Sequence, residues 1–97
     1  MLVHIVAWKY KKETDSKTRA DHISKLHALP GVIRCIESFK VGSDILNLDR
    51  SYDTGLVAEF ADATALEEYT VHPAHQEVAS MGKEIAEHVV SVDFLTK

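Results

Sequence analysis

With only one cysteine, Cys35, the 97-residue sequence cannot form an internal disulfide, and a reducing, cytoplasmic setting is the expectation. No Cys/His cluster has zinc-finger spacing. Surplus positive charge is absent too: 11 Lys and Arg face 15 Asp and Glu, a net charge of -4. That excludes nucleic acid as the expected partner, because such affinity needs several cations to displace counterions. The one basic cluster, Lys9, Lys11 and Lys12 with Lys17 and Arg19 nearby, is followed at once by Glu13 and Asp15 and reads as a solvated strand end. No apolar run approaches the roughly 20 residues of a membrane helix. Met1–His4 has no charged leader, so neither membrane nor signal peptide is expected. Repeats, low-complexity tracts and Gly/Ser linkers are missing as well.

What is there fits one domain over residues 1–97. A chain this short buries only a little over roughly 60% of its unfolded surface, so it gains from disulfides, a metal or a partner subunit. The first two having no support, oligomerisation is the remedy left.

Leu2 to Tyr10 reads as a strand, with Leu2, His4, Val6, Trp8 and Tyr10 on its even face and Val3, Ile5, Ala7 and Lys9 on its odd face. A strand with one wet face alternates apolar with polar. This one is apolar on both sides, so both sides need cover. Thr14, Asp15 or Ser16 can cap a helix running to about Leu29, with Ala20, Ile23, Leu26 and Leu29 as its stripe and Pro30-Gly31 as its stop. Val32 to Val41 is the expected second strand and Gly42 to Ser51 a loop, whose Leu46 and Leu48 are expected to cover apolar surface. Tyr52 to Phe60 reads as the third strand. Asp62 caps a helix from Ala63 to about Thr70, and Pro73 opens another that carries Ala74, Val78, Met81 and Ile85. Val89 to Leu95 is the fourth strand. The order β-α-β-β-α-β predicts an α+β, ferredoxin-like split βαβ fold with a four-stranded antiparallel sheet. Its helices cover one face only. Two sheets packed face to face in a homodimer would cover the other.

His4-Ile5-Val6 with Lys9-Tyr10-Lys11, the Leu29-Pro30-Gly31-Val32 turn, Tyr52-Asp53 with Glu59-Phe60, and above all Tyr69-x-x-His72-Pro73-x-His75 resemble the stress-responsive A/B barrel (Dabb) family over nearly the whole chain. The resemblance implies a dimeric α+β barrel. It further implies, from a plant polyketide cyclase of that family, ring closure by aldol condensation with no metal or organic cofactor. The cyclase's tyrosine, final histidine and strand-1 histidine fall on Tyr69, His75 and His4. Its pocket wall carries large aromatics where this chain has Ile23 and Leu26, which implies a differently shaped ligand.

If the helices cover the even face, His4, Tyr69 and His75 meet in one cleft, walled by Val6, Trp8, Ile23, Leu26 and His72. An imidazole exchanges protons near neutral pH, and a desolvated cleft favours its neutral form. His75 would then take an α-proton from a small apolar carbonyl compound, with Tyr69 hydrogen-bonding the enolate oxygen. Each residue also has a plain structural reading: His72 as a helix cap, His75 as a helix-start residue, His4 as a core histidine, Tyr69 as a core aromatic. His22 and His27 are expected at the surface or rim of the first helix. His72 and His75 lack a further ligand at metal spacing, and Cys35 lacks the cationic setting of a nucleophile. Against the cyclase or isomerase stands a non-catalytic, stress-associated dimer that binds a small apolar ligand. No residue specifically supports the third reading, a monooxygenase of a related fold.

Overall fold

The computed structural model describes residues 1–96, so only the last residue of the expected domain lies outside it. Four strands and three helices follow in the order β1 (Leu2–Tyr10), α1 (Ser16–Ala28), β2 (Ser38–Ser43), β3 (Thr54–Phe60), α2 (Ala63–Val71), α3 (Pro73–Ile85) and β4 (Ala86–Leu95). The ferredoxin-like antiparallel sheet has the order β2-β3-β1-β4. Caps mark the helix starts. Asp15 accepts the Thr18 amide at 2.8 Å and Asp62 the Ala65 amide at 2.9 Å, each satisfying a donor the first turn leaves free.

Register sorts the sheet into two faces. Leu2, Trp8 and Tyr10 of β1 and Thr54, Leu56, Ala58 and Phe60 of β3 are buried under the helices, against Leu26, Leu29, Tyr69 and Val78. On the opposite face Val57 lies beside Ile5, and Val90, Val92 and Phe94 of β4 flank Ala7, Ile5 and Val3. Those β4 side chains are 49%, 53% and 44% exposed. The uncovered face is therefore apolar across three strands, as its alternation required.

Three expectations need correction. The second strand begins at Ser38, not Val32. A 3₁₀ turn, Leu29–Gly31, follows α1, and Val32 and Ile33 donate their amides to the Leu29 carbonyl at 3.0 and 2.9 Å, which drives Ile33 into the core instead of a ladder. Pairing is then set by β3, from Ser38 opposite Glu59 to Ser43 opposite Thr54, so Gly42 and Ser43 belong to the strand. Cys35 falls before it, its thiol donating to the Ala65 carbonyl at 3.2 Å. Burial raises its pKa. The fourth strand starts at Ala86, three residues early, because α3 runs into it without a loop.

The second correction concerns α1, whose buried stripe is His22, Leu26 and Leu29. Ala20 is exposed and Ile23 only half-buried. His22, expected at the surface, is fully buried. Its Nδ1 meets the Tyr10 hydroxyl at 2.7 Å, and that hydroxyl meets Thr54 Oγ1 at 2.9 Å, so one of the two ring nitrogens has a partner inside while Nε2 has none. Burial lowers its pKa and keeps it neutral. Third, Leu46 and Leu48 are not buried cover: they remain 66% and 40% exposed, beside Ile45 at 87%.

Candidate functional site

Under α2 and α3, against the inward face of β1, lies a partly open cavity of about 260 Å³. Its walls are chiefly apolar: Val6, Trp8, Leu26, Leu56, Val78, Ala79 and Val89. Its polar lining is His4, Tyr69, Thr70, His75, Lys83 and Ser91. Because β4 is an edge strand with exposed side chains, the cavity opens along Val89 and Ser91.

Local structure explains how each group arrives. His4 projects inward from β1 by strand parity, opposite Ala58. Tyr69 stands near the end of α2, 2% exposed, against the Phe60 ring at 5.1 Å. Between α2 and α3 the chain breaks at His72-Pro73, where His72 Nδ1 accepts the Ala74 amide at 3.1 Å and proline takes the first helical position. That break brings His75 back over Tyr69, with ring centroids 4.2 Å apart. The His4 ring lies 6.0 Å from Tyr69. The tyrosine ring thus neighbours both imidazoles.

Hydrogen bonds settle which nitrogens are free. His75 Nδ1 is 3.0 Å from the Thr70 carbonyl, which can only accept, so Nδ1 carries the proton and Nε2 keeps its lone pair. His4 Nδ1 likewise donates to the carboxylate of Asp93, which lies across from it in the β1–β4 register. Burial pushes the His75 pKa down, and the neighbouring His4 and His72 push it the same way against the Thr70 bond. Desolvation lifts the Tyr69 phenol to about 12, so it remains a neutral donor. The arrangement offers a proton acceptor at His75 Nε2 beside an O–H donor in an apolar hollow.

Of the site residues read from the sequence, His4, Val6, Trp8, Leu26, Tyr69 and His75 line this cavity. Ile23 does not. The rotation of α1 that buries His22 turns Ile23 into a separate hollow of about 530 Å³, wide open to solvent, with Arg19, His27 and Ser43. His72 is also outside the lining, its ring engaged in capping α3. Asp93 and Lys83 escaped the sequence reading. Asp93 left a trace there, a lone charge in the run Val-Val-Ser-Val-Asp-Phe-Leu. Among the described residues no three His, Cys, Asp or Glu side chains cluster as metal ligands would, and no helix is long and apolar enough to cross a membrane.

Comparison with known proteins adds the following. The family model described as Stress responsive A/B Barrel Domain matches residues 2–96. A search of curated proteins finds no match. Among solved structures, a dimeric ferredoxin-like protein of unknown function from Thermobifida fusca superposes with a TM-score of 0.90 at 21% identity, over 98% of this chain and 90% of its own. The hydroxynitrile lyase of Passiflora edulis gives 0.88 at 19%, over 99% and 93%. A dimeric protein of unknown function from Bacteroides fragilis gives 0.84 at 23%, over 98% and 95%. At these identities the likeness is one of fold.

Proposed function

The chain belongs to the stress responsive A/B barrel (Dabb) family, and on that premise we infer that it is a homodimer whose protomers each catalyse proton transfer on a carbonyl compound. Two dimeric proteins of the same fold, together with the apolar open face, support pairing through the sheets. That one protein of this fold is a hydroxynitrile lyase supports an enzymatic reading. The observation that carries the chemistry is the placement of Tyr69 against two imidazoles, each anchored through Nδ1, at one cavity.

In the proposed step His75 Nε2 takes a proton from the carbon next to a carbonyl. The electron pair moves onto the carbonyl oxygen, which the Tyr69 hydroxyl stabilises by a hydrogen bond. The enolate carbon then attacks a second carbonyl of the same molecule, closing a ring, and the imidazolium returns its proton to the alkoxide so formed. With a conjugated ketone the imidazolium instead protonates the far carbon of the dienolate, completing an isomerisation. His4, oriented by Asp93, offers its Nε2 as a second exchange partner. These side chains supply the acid–base chemistry themselves, and a polyketide-like ligand is the class the family resemblance favours.

Deuterium uptake at the α-carbons of heptan-2-one, followed by NMR, tests this. The wild-type protein should accelerate uptake over buffer, and His75→Ala should return it towards background, a loss of about 10²- to 10⁴-fold. Since the neutral base is the active form and burial lowers its pKa, the rate should rise with pH through a midpoint below 6.5 and stay flat to about pH 10, short of Tyr69 ionisation. Exchange by His75→Ala as fast as by wild type would overturn the mechanism. Tight ligand binding without exchange of any ketone would favour the non-catalytic dimer.

A further inference from the structure

The cavity is chemically unequal at its two ends. His4, Tyr69, Thr70 and His75 gather at one, with Asp93 bonded to His4 from outside the lining, while Trp8, Val89 and Lys83 mark the other. On α3, His75, Ala79 and Lys83 are spaced four residues apart and so share one helix face. Eight residues at about 1.5 Å each set Lys83 about 12 Å from His75 along the helix. Lys83 is the one lysine or arginine in the lining, and no aspartate or glutamate lines the cavity with it. Among the described residues it makes no ion pair within 4.0 Å. Of the acids nearest in sequence, Glu87 lies 3.8 Å from His88, and Glu84 borders a different hollow with Lys11.

We propose that the cavity binds an amphipathic anion, with an apolar chain along Trp8, Leu26 and Val78 and a carboxylate-type group at Lys83, remote from Tyr69 and His75. The inference rests on the proposed use of this cavity as the substrate site and names the substrate class. About 260 Å³ holds about nine water-sized groups at ~30 Å³ each, the scale of an eight-carbon acid. A neutral chain of the same shape gains the same apolar contacts but not the cation, so charge discriminates between the two.

Octanoate and its uncharged isostere octanamide are the probes, and the single tryptophan, Trp8, in the cavity wall is the reporter. Fluorescence titration of wild type should show both binding. Lys83→Gln should weaken octanoate about three- to fivefold, the scale of a solvent-accessible ion pair, and leave octanamide within twofold. Lys83→Arg should restore octanoate, and salt should weaken octanoate on wild type but not on Lys83→Gln. An unchanged octanoate-to-octanamide ratio in Lys83→Gln would overturn the proposal, and so would failure of both probes to bind wild type. Lys83 is exposed, so the fold is expected to survive its replacement. The assay needs no turnover: loss of deuterium exchange with retained Lys83-dependent binding would remove the proposed chemistry alone, and the reverse would remove this inference alone.

Discussion

Gly82 sits in α3 where the helix crosses Trp8 and His22, and replacing it with alanine sets two effects against each other. Alanine is the better helix former by about 1 kcal/mol. Its methyl, however, would stand 2.9 Å from Trp8 Nε1 and 3.1 Å from His22 Nε2. Neither ring can retreat freely. Trp8 lies in β1, hydrogen-bonded on both sides, and the two rings pack edge to face at 5.0 Å. Moving His22 strains its bond to Tyr10, and its Nε2 is already buried without a partner. Overpacking costs about 1–3 kcal/mol, and a broken buried hydrogen bond about 1–3 kcal/mol more. The steric side wins, leaving Gly82→Ala destabilised by about 2 kcal/mol. At about 4–8 °C per kcal/mol for a domain of this size, the melting temperature should fall by about 10 °C at fixed protein concentration. Gly31→Ala is the control. A methyl there meets nothing within 4 Å and the backbone has no positive φ, so it should melt at or slightly above wild type. Gly82→Ala melting at or above wild type by circular dichroism would refute the reasoning.

Two further outcomes follow from the same geometry. Val92→Asp places a carboxylate in the middle of the open sheet face, where desolvating it against a second apolar sheet is unfavourable. Light scattering at micromolar concentration should give twice the monomer mass for wild type and the monomer mass for the variant; monomeric wild type would contradict sheet-to-sheet pairing. Acid stability reports on His22 and His75, whose folded pKa values lie below their unfolded value of 6.5. The unfolded chain binds more protons in that range, so stability should be full above about pH 6.5, fall as the pH drops below it, and level off once both folded groups titrate. His22→Gln should flatten the part of that slope due to His22, and an unaltered slope would count against its being held neutral by burial.

Much of the fold was legible because its signals are local. Alternation on both sides of β1 identified a strand needing two covers, and Asp62, His72-Pro73 and Pro30-Gly31 punctuate the helices at their observed ends. Errors arose where a distant partner overrode a local preference. Val32 to Ile36 has strand composition, but the 3₁₀ turn and the length of β3 delayed pairing until Ser38. The stripe of α1 favoured Ala20 and Ile23, yet the core accepted His22, because the Tyr10 hydroxyl, itself bonded to Thr54, meets its Nδ1 and Gly82 leaves it room.

The candidate site divides in the same way. By itself the sequence determined the motif Tyr69-x-x-His72-Pro73-x-His75 and the strand parity that turns His4 inward, since both depend on residues near in the chain. Only the tertiary structure decided that Asp93 meets His4, that Lys83 stands at the cavity's far end, and that His75 keeps Nε2 free. Those relations depend on inter-strand register, helix rotation and the proton assignment that a neighbouring carbonyl imposes, and no local pattern of side chains encodes them.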